Sequence, residues 1–600
     1  MTEPVNPRDE ILARLRAAQA PEPPPAAEPG PRSPARAARR RSAKKSAEAS
    51  QTGGEAPEGS QEGAAASEDG ATEPPEREWD LDCARLPLTD LGNAERFVLR
   101  HGDSFLYVPE WDDAQGKGLK AWLAWDGRRW SRAAARMLLA RAVHDTVRAI
   151  EAEAYAFAGS SEDGEVDVVK GVAVYQSDRI RAWAKASQAA GKVNCIAALA
   201  QPYLQAPLAS FDADPMALAV ANGTLRFRLD PDGGDSVTFT DSHERGDRIT
   251  RLADVAYDPD ATCPQYDRFL AKVQPDPAVQ RHLACWGGVG LTGDTSLQKM
   301  AFWYGKGRNG KSTLLNAWAH IAGDYAATIP IESFLDQGRL KKGSEASPDL
   351  AKLVGIRMLT TSEGEAGAKI AESLIKTATG EETLTVRELH SGFFDLRVEF
   401  TLTMFGNHKP RITGTDDGIW ARVVFVPWLV RIPDAEIDRG LTARLKAEAP
   451  GILNRLLDGI RDYLDNGLVL PDQVAEATAA FRSESDPLGR FLEDCTAYAE
   501  GARIQSTELH RLFSAWCLAN GETAWKIAYF GRQLGERGYR SHRSSVVYWR
   551  DIAATRSGHD LVENWEGDPK NWRPKVAEPG PEPARGGAPP GDAGGFGFPD

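Results

Sequence analysis

The chain has 600 residues, room for two to four domains, with 42% apolar residues and a formal net charge of −14. That acidity excludes a protein that coats nucleic acid along its whole length, yet leaves room for one basic module or channel. The six cysteines (Cys83, Cys195, Cys263, Cys285, Cys495, Cys517) form no C-x-x-C pair, which excludes a zinc ribbon and a disulfide framework.

No apolar run is long enough to cross a bilayer, and MTEPVNPRDE lacks the basic-then-apolar order of a signal peptide. The expectation is a soluble, cytoplasmic protein with no membrane partner. Residues 7–20 read as a short helix with Ile11, Leu12 and Leu15 on one face. From 21 to about 77 the composition falls to Ala, Pro, Glu, Gly and Ser, which cannot bury enough apolar surface to offset ordering, so 1–78 is expected to be a disordered arm. Within it lies a basic cluster, RSPARAARRRSAKK, readable as an electrostatic tether or as a solubilising linker.

Residues 79–255 read as a mostly helical domain. It opens with a small β unit, HGDSFLYVPEW and AWLAWDGRRW around a DG turn, in which Trp122, Trp125 and Trp130 suit a core better than a base-stacking platform. Residues 132–205 have helical spacing throughout, and 211–227 return to strand character around an NGT turn. Asp212-x-Asp214 resembles a two-metal pair, and Asp230, Asp232 and Asp235 resemble a calcium loop, but both lack the further carboxylates those sites need and read as turn chemistry.

The segment 256–435 carries the chemistry. A helical stretch, 266–291, leads into KMAFWYGKGRNGKST. Met300–Tyr304 reads as a buried strand and 312–321 as a helix, with Leu314, Leu315, Trp318 and Ile321 on its apolar face. Between them Gly305, Lys306, Gly307, Arg308, Asn309, Gly310, Lys311, Ser312 and Thr313 fit the phosphate-loop pattern, whose backbone N–H groups curl around an anion. Lys311 is placed to reach the β- and γ-phosphates of ATP, and Ser312 to ligate Mg²⁺. A second strand, 356–361, ends at Glu363 and Glu365, the positions for a carboxylate that holds the metal's water shell (Glu363) and supports the base region. A third, 399–406, ends in Asn407, an amide able to orient water at the γ-phosphate. A fourth, 421–428, carries Arg422. Residues 383–387 and 394–400 alternate like strands on either side of a turn holding His390, which is either a phosphate-gripping tip or a plain turn residue.

Beyond 436–500, read as helical, residues 506–520 predict a helix capped by Ser506. A second helix, 524–537, and a hairpin, 539–552, follow. With Lys526, Arg532, Arg537, Arg540 and Arg543 this suggests a winged-helix module at 501–556 that docks on duplex DNA, or else a basic protein-docking face. Residues 557–600 are expected to be a disordered tail.

The succession GKGRNGKST, TTSEGEAG, IKTATGEETLTVREL and MFGNHKPRITGTDDGIWARVVFVPW resembles the superfamily III helicases, specifically the helicase half of phage and plasmid primase–helicases of the poxvirus type. DGRRW and ANGTL upstream, and EAPGILNRLLDG with SESDPLGRFLEDC downstream, extend the resemblance over roughly 80–555. It implies a multidomain α/β protein with a RecA/AAA+-like ATPase core, a mostly helical N-terminal domain and a winged-helix module. It implies that Lys311, Glu363, Glu365 and Asn407 serve hydrolysis. Arg422 is then an arginine finger reaching the ATP of a neighbouring subunit in a hexamer. Lys376, Gly380 and Arg387 lead into a hairpin, with His390, aimed at DNA in the channel. One departure stands out: members often carry two arginines after the tryptophan, and here the first position is Ala421. The implied function is ATP-dependent unwinding of single-stranded and forked DNA in phage or plasmid replication in a bacterial host, with priming by a separate primase or replisome protein. A replication initiator that uses ATP to control origin binding is the alternative, and a packaging or nucleotide-kinase enzyme is a third reading.

Overall fold

The computed structural model describes residues 6–19, 76–111, 121–228, 234–336, 348–361, 364, 368–380, 383–387, 393–412, 417–555 and 561. The expected disordered arm and tail therefore lie largely outside the described residues. The chain forms two compact units, one from residues up to 213 with 244–250, the other from 214–243 and from 251 onward.

In the first unit the helix Pro7–Gln19 buries Ile11, as its apolar spacing predicts. The helix Asp90–His101 starts where Thr89 Oγ1 accepts from the Gly92 N–H, and the long helix Arg132–Ala158 starts where Ser131 Oγ accepts from Ala134. Between them lies an antiparallel sheet of Phe105–Tyr107, Trp122–Trp125 and Trp130–Ser131. Trp122 and Trp130 are buried, so these tryptophans are core. Arg96 and Glu153 form an ion pair of 2.8 Å with both side chains wholly buried, and Arg100 adds a second contact to Glu153 at 3.0 Å. The helical reading of 132–205 is corrected at one place: Glu165–Val169 and Val172–Tyr175 form a hairpin. Lys170 and Gly171 both have positive φ, the conformation a two-residue hairpin turn requires, and the β-branched valines do the rest. Asp212 was expected to serve a local turn; instead it accepts from Thr250 N and Oγ1, 38 residues on, and so ties two distant segments of the unit together.

In the second unit Asp214 accepts from its own turn at Met216 N. Asp230 and Asp232 lie outside the described residues. The stretch read as one helix before the glycine loop is two, Pro264–Val273 and Pro277–Val289, because Pro277 starts a new helix with Asp276 as its cap. The central sheet contains β1 (Met300–Tyr304), β2 (Ala326–Ile329), β3 (Met358–Thr361), β4 (Thr401–Gly406) and β5 (Val423–Pro427). All are parallel, in the spatial order β2-β3-β4-β1-β5. Strands covered on both faces read as continuous apolar runs, and β1 and β5 do so. The helix α1 (Lys311–Ala322) follows β1, and Trp303, Trp318 and Trp428 pack together beneath the β1–α1 connection with ring centroids 5.5 and 5.0 Å apart.

The helix Ala449–Asn466 crosses Pro277–Val289 at backbone contact distance. A Cβ on Gly459 would sit 2.1 Å from Ala284 O, and one on Gly288 would sit 2.5 Å from Leu456 O. These glycines fix the approach that seats the sheet's flanking helices. After Asp472–Glu484 and Pro487–Cys495 comes the C-terminal module. It comprises β6 (Thr496–Gln505), helices Ser506–Ala519 and Ile527–Glu536, β7 (Ser541–Arg543) and β8 (Val547–Ala554), with sheet order β6-β8-β7. Ser506 is the first helical residue rather than the cap, and its Oγ accepts instead from Trp549 Nε1.

Candidate nucleotide site

β1 ends at Tyr304 and the chain turns through Gly305–Gly310 before α1 begins at Lys311. Gly310 has φ +86, and a Cβ there would lie 2.8 Å from Val273 Cγ1 and 3.0 Å from Phe269, so both backbone and space demand glycine. A Cβ on Gly305 would strike Trp428 O and Asn309 Nδ2 at 2.3 Å, whereas one on Gly307 would meet nothing within 4 Å among the described residues. The loop is thus pinned at both ends and open at its tip. Lys311 is only 2% exposed; its Nζ donates to Gly305 O at 2.6 Å and to Asn309 Oδ1 at 3.1 Å. Its ammonium therefore lies inside the curve of the loop, where the positive end of α1 adds to its charge.

Parallel pairing of β4 with β1 sets Gly406 beside Tyr304, which delivers Asn407 to the loop. Its Oδ1 accepts from the Gly307 N–H at 3.0 Å. β3 runs parallel beyond β4, so its C-terminal end is on the same edge of the sheet. Glu363 and Glu365, two and four residues past that end, lie outside the described residues. Arg422 is elsewhere. It precedes β5, whose first residue pairs with Met300 and whose last pairs with Tyr304, so Arg422 stands at the opposite end of the sheet from its own chain's loop. Its guanidinium is half-buried, with Nη1 donating to Gly418 O at 2.8 Å.

Two cations beside these positions escaped the sequence reading. Lys299 Nζ donates to Ala421 O, and burial together with the charge of Arg422 holds its ammonium below the usual lysine range. Lys409, two residues past Asn407, pairs with Glu484 and lies over the rings of Tyr304 and Phe425 (5.3 Å each) and Phe481 (5.7 Å). It joins the last residue of β1 to the helix Asp472–Glu484. No motif points to either lysine; only the sheet register brings them in.

Beside the loop is a cleft of about 400 Å³ lined by Phe269, Arg308, Gly310, Thr313, Ile432 and Leu441, among others. Arg308 O accepts from Ile432 N at 2.8 Å, and its guanidinium pairs with Asp434. The lining also carries Arg268, Lys272, Glu436 and Asp438, so an apolar patch of Phe269, Ile432 and Leu441 adjoins charged groups next to an anion-ready loop, a shape a nucleoside with attached phosphates fits. For Mg²⁺ the described residues offer the exposed hydroxyl of Ser312, and no cluster of three His, Cys, Asp or Glu residues stands among them. One hydroxyl suits an ion that keeps most of its waters and takes phosphate oxygens.

The remaining candidates are dispersed. Lys376 is half-buried in the last turn of Glu372–Ala378, and Thr379–Gly380 continue toward a hairpin of Thr383–Arg387 and Phe393–Arg397. Arg387 closes the register opposite Phe393. His390 lies outside the described residues. Arg532, on Ile527–Glu536, lies over the ring of Tyr529 at 5.1 Å, and Arg540 is exposed just before β7.

Residues 94–275 match the family described as D5 N terminal like. The chain is 26% identical over 280 residues to "Putative helicase L207/L206" of Acanthamoeba polyphaga mimivirus, covering 44% of this chain and 29% of that protein. It is 25% identical over 274 residues to "Putative helicase 022R" of Frog virus 3, covering 42% of this chain and 28% of the relative. The matches thus span less than a third of either relative's length. A solved structure of the NrS-1 C-terminal region aligns at 11% identity over 50% of this chain and 78% of that one, with a TM-score of 0.33. Over these parts of its length the chain is similar to the D5 N terminal like family and to viral proteins named putative helicases. Among the described residues no helix is long and apolar enough to cross a membrane.

Proposed function

We propose that the chain is an ATP-driven DNA helicase of the superfamily III type, acting in phage or plasmid replication. The observation that carries the reading is the convergence of Lys311, at the head of α1, with Asn407, whose amide oxygen holds the Gly307 N–H at 3.0 Å. In this reading the Gly305–Gly310 segment is a phosphate loop in a RecA/AAA+-like core. Its backbone N–H groups and Lys311 take the β- and γ-phosphates, and Phe269, Ile432 and Leu441 cover the nucleoside. Mg²⁺, when bound, neutralises phosphate charge, and Ser312 with Glu363 would hold it. Asn407 orients the attacking water, with Glu365 supporting the acidic region, and the γ-phosphoryl passes to that water as its bond to the β–γ bridging oxygen breaks and ADP leaves. The position of Arg422 at the far end of the sheet supports action on the nucleotide of a neighbouring copy, hence a ring, with six subunits the family expectation. The hairpin after Lys376 faces DNA in the channel, and the C-terminal helices and strands act as a winged-helix module.

The test is ATP hydrolysis by the purified chain and by Lys311→Ala, with and without single-stranded DNA, followed by unwinding of a forked duplex. DNA-stimulated hydrolysis that vanishes in the variant, with unwinding, is the expected result. Hydrolysis indifferent to DNA and no unwinding would replace the motor by the ATP-controlled initiator.

A further inference from the structure

A row of arginines crosses the outer face of the C-terminal sheet. β6 runs antiparallel to β8 with Arg503 opposite Arg550, Ile504 opposite Trp549 and Gln505 opposite Tyr548. On the other side of β8, β7 sets Ser541 opposite Trp549 and His542 opposite Tyr548. The Arg550 N–H donates to Arg540 O at 3.0 Å, so Arg540 continues that register by one step. Successive residues of a strand face opposite ways. Ile504 and Trp549 enter the module's core with Phe513, Phe530 and Leu534. Arg503, Arg550 and Arg540 therefore stand abreast on the other face, spanning about 10 Å at the usual strand spacing. Gln505, Tyr548 and His542 form the adjoining row. The three arginines and His542 are exposed, and the Arg503 guanidinium lies 5.5 Å from the centre of the half-buried Tyr548 ring.

Like charges opposite one another on neighbouring strands weaken a sheet. Two nearby arginines do have counter-charges: Arg490 pairs with Glu522 at 2.6 Å and Arg537 with Asp486 at 2.5 Å. Among the described residues no carboxylate forms an ion pair with Arg503, Arg540 or Arg550. A sheet that keeps three guanidiniums in line without counter-charge, beside a tyrosine ring, is organised for a polyanion. The geometry points to this sheet face as a binding site for the phosphodiester backbone of nucleic acid, with the arginines on successive phosphates and Tyr548 and His542 against sugar or base. The site rests on the DNA-directed reading above; of its three arginines Arg540 was among the expected contacts, whereas Arg503 and Arg550 were not, and the site leaves out Arg532, which is on a helix.

The experiment measures binding of a labelled single-stranded DNA and of a labelled duplex to the full chain over a range of salt concentrations. It compares wild type, Arg503→Gln/Arg540→Gln/Arg550→Gln and the matching triple lysine variant. Each phosphate contact contributes about 0.9 to the log–log salt slope on duplex and about 0.7 on a single strand, so the glutamine variant should lose about 2 to 3 of slope and at least about tenfold in affinity. The probe that shows the loss identifies which form the face holds. The lysine variant should retain the slope. The glutamine variant should hydrolyse ATP without DNA like wild type and melt at or above it, because repulsion is relieved. An unchanged slope on both probes, with wild-type binding intact, overturns the sheet face alone, as does a glutamine variant that melts well below wild type. A wild-type chain that binds neither probe overturns this site and the DNA motor together.

Discussion

The N–H of Gly307 donates to Asn407 Oδ1 across 3.0 Å, joining the tip of the glycine loop to the end of the neighbouring parallel strand. The amide thereby has a fixed plane: with its oxygen held by the loop, its Nδ2 is directed as the donor. Removing one preorganised donor from a reacting oxyanion commonly costs about 10² to 10³ in turnover, so Asn407→Ala should lower kcat of ATP hydrolysis by about that factor. Nucleotide binding should weaken only a few-fold, because the loop and Lys311 remain. Single-turnover hydrolysis alongside equilibrium nucleotide binding separates the two. Equal losses in both would make Asn407 a brace for the loop and nothing more.

Two glycines of the loop, Gly307 at its tip and Gly310 at its end, predict opposite behaviour. At Gly310 an alanine would have to adopt φ +86, which costs about 1 to 2 kcal/mol for a residue with Cβ, and would press on Val273 and Phe269. Gly310→Ala should lower the melting temperature and abolish tight nucleotide binding. Gly307→Ala meets open space and should leave the melting temperature unchanged. Thermal melts of both variants with and without ATP check the contrast.

The reach of the sequence differs between residues for physical reasons. β1 was legible residue for residue and α1 to within one residue at each end, because an apolar run, a glycine turn and helical spacing agree there. Ala326–Ile329 was missed: four residues with two alanines carry little strand signal, and the neighbouring strand, not their own propensity, makes them one. β6 was missed too. TAYAEGARIQ has no alternating apolar pattern: of its ten residues only Thr496 and Ile504 are buried, and its ladder with β8 is interrupted between Tyr498 and Arg503. Likewise, pairing of β4 with β1 was needed to show that Asn407 meets the loop, and β5 to show that Arg422 does not.

That separation makes a prediction about Arg422. Standing at the start of β5, it is a full strand length from its own loop, so it serves hydrolysis only if a second copy presents it. Arginines acting in trans on phosphoryl transfer are worth about 10³ to 10⁵ in rate, so Arg422→Ala should nearly abolish turnover while leaving nucleotide binding intact. Mixing Arg422→Ala with Lys311→Ala subunits should recover part of the activity, because some interfaces then pair an intact loop with an intact arginine. No recovery at any mixing ratio would return Arg422 to the structural role that its bond to Gly418 O already suggests.

The first unit should carry a pH dependence of its own, through His101. Burial pushes this imidazole down to about 4, with the adjacent Arg100 charge acting in the same direction and Arg8 adding to it. Asp145 and Asp103 oppose the shift without cancelling it. The ring lies against Phe97 with centroids 5.5 Å apart, and its Nε2 is buried with no hydrogen-bond partner among the described residues. An unfolded histidine binds its proton near pH 6.5, whereas this one stays neutral when folded until about pH 4. Between those values the unfolded chain holds more protons than the folded chain, so stability falls as the pH is lowered through that window and levels off below it. The contribution is a few kcal/mol, at about 1.4 kcal/mol for each pH unit between the two values. Urea unfolding at pH 7 and pH 5 should therefore show a loss for the wild type that His101→Gln lacks, since glutamine does not titrate. If both proteins lose stability equally between those pH values, the slope belongs to other groups and His101 is already satisfied in the fold.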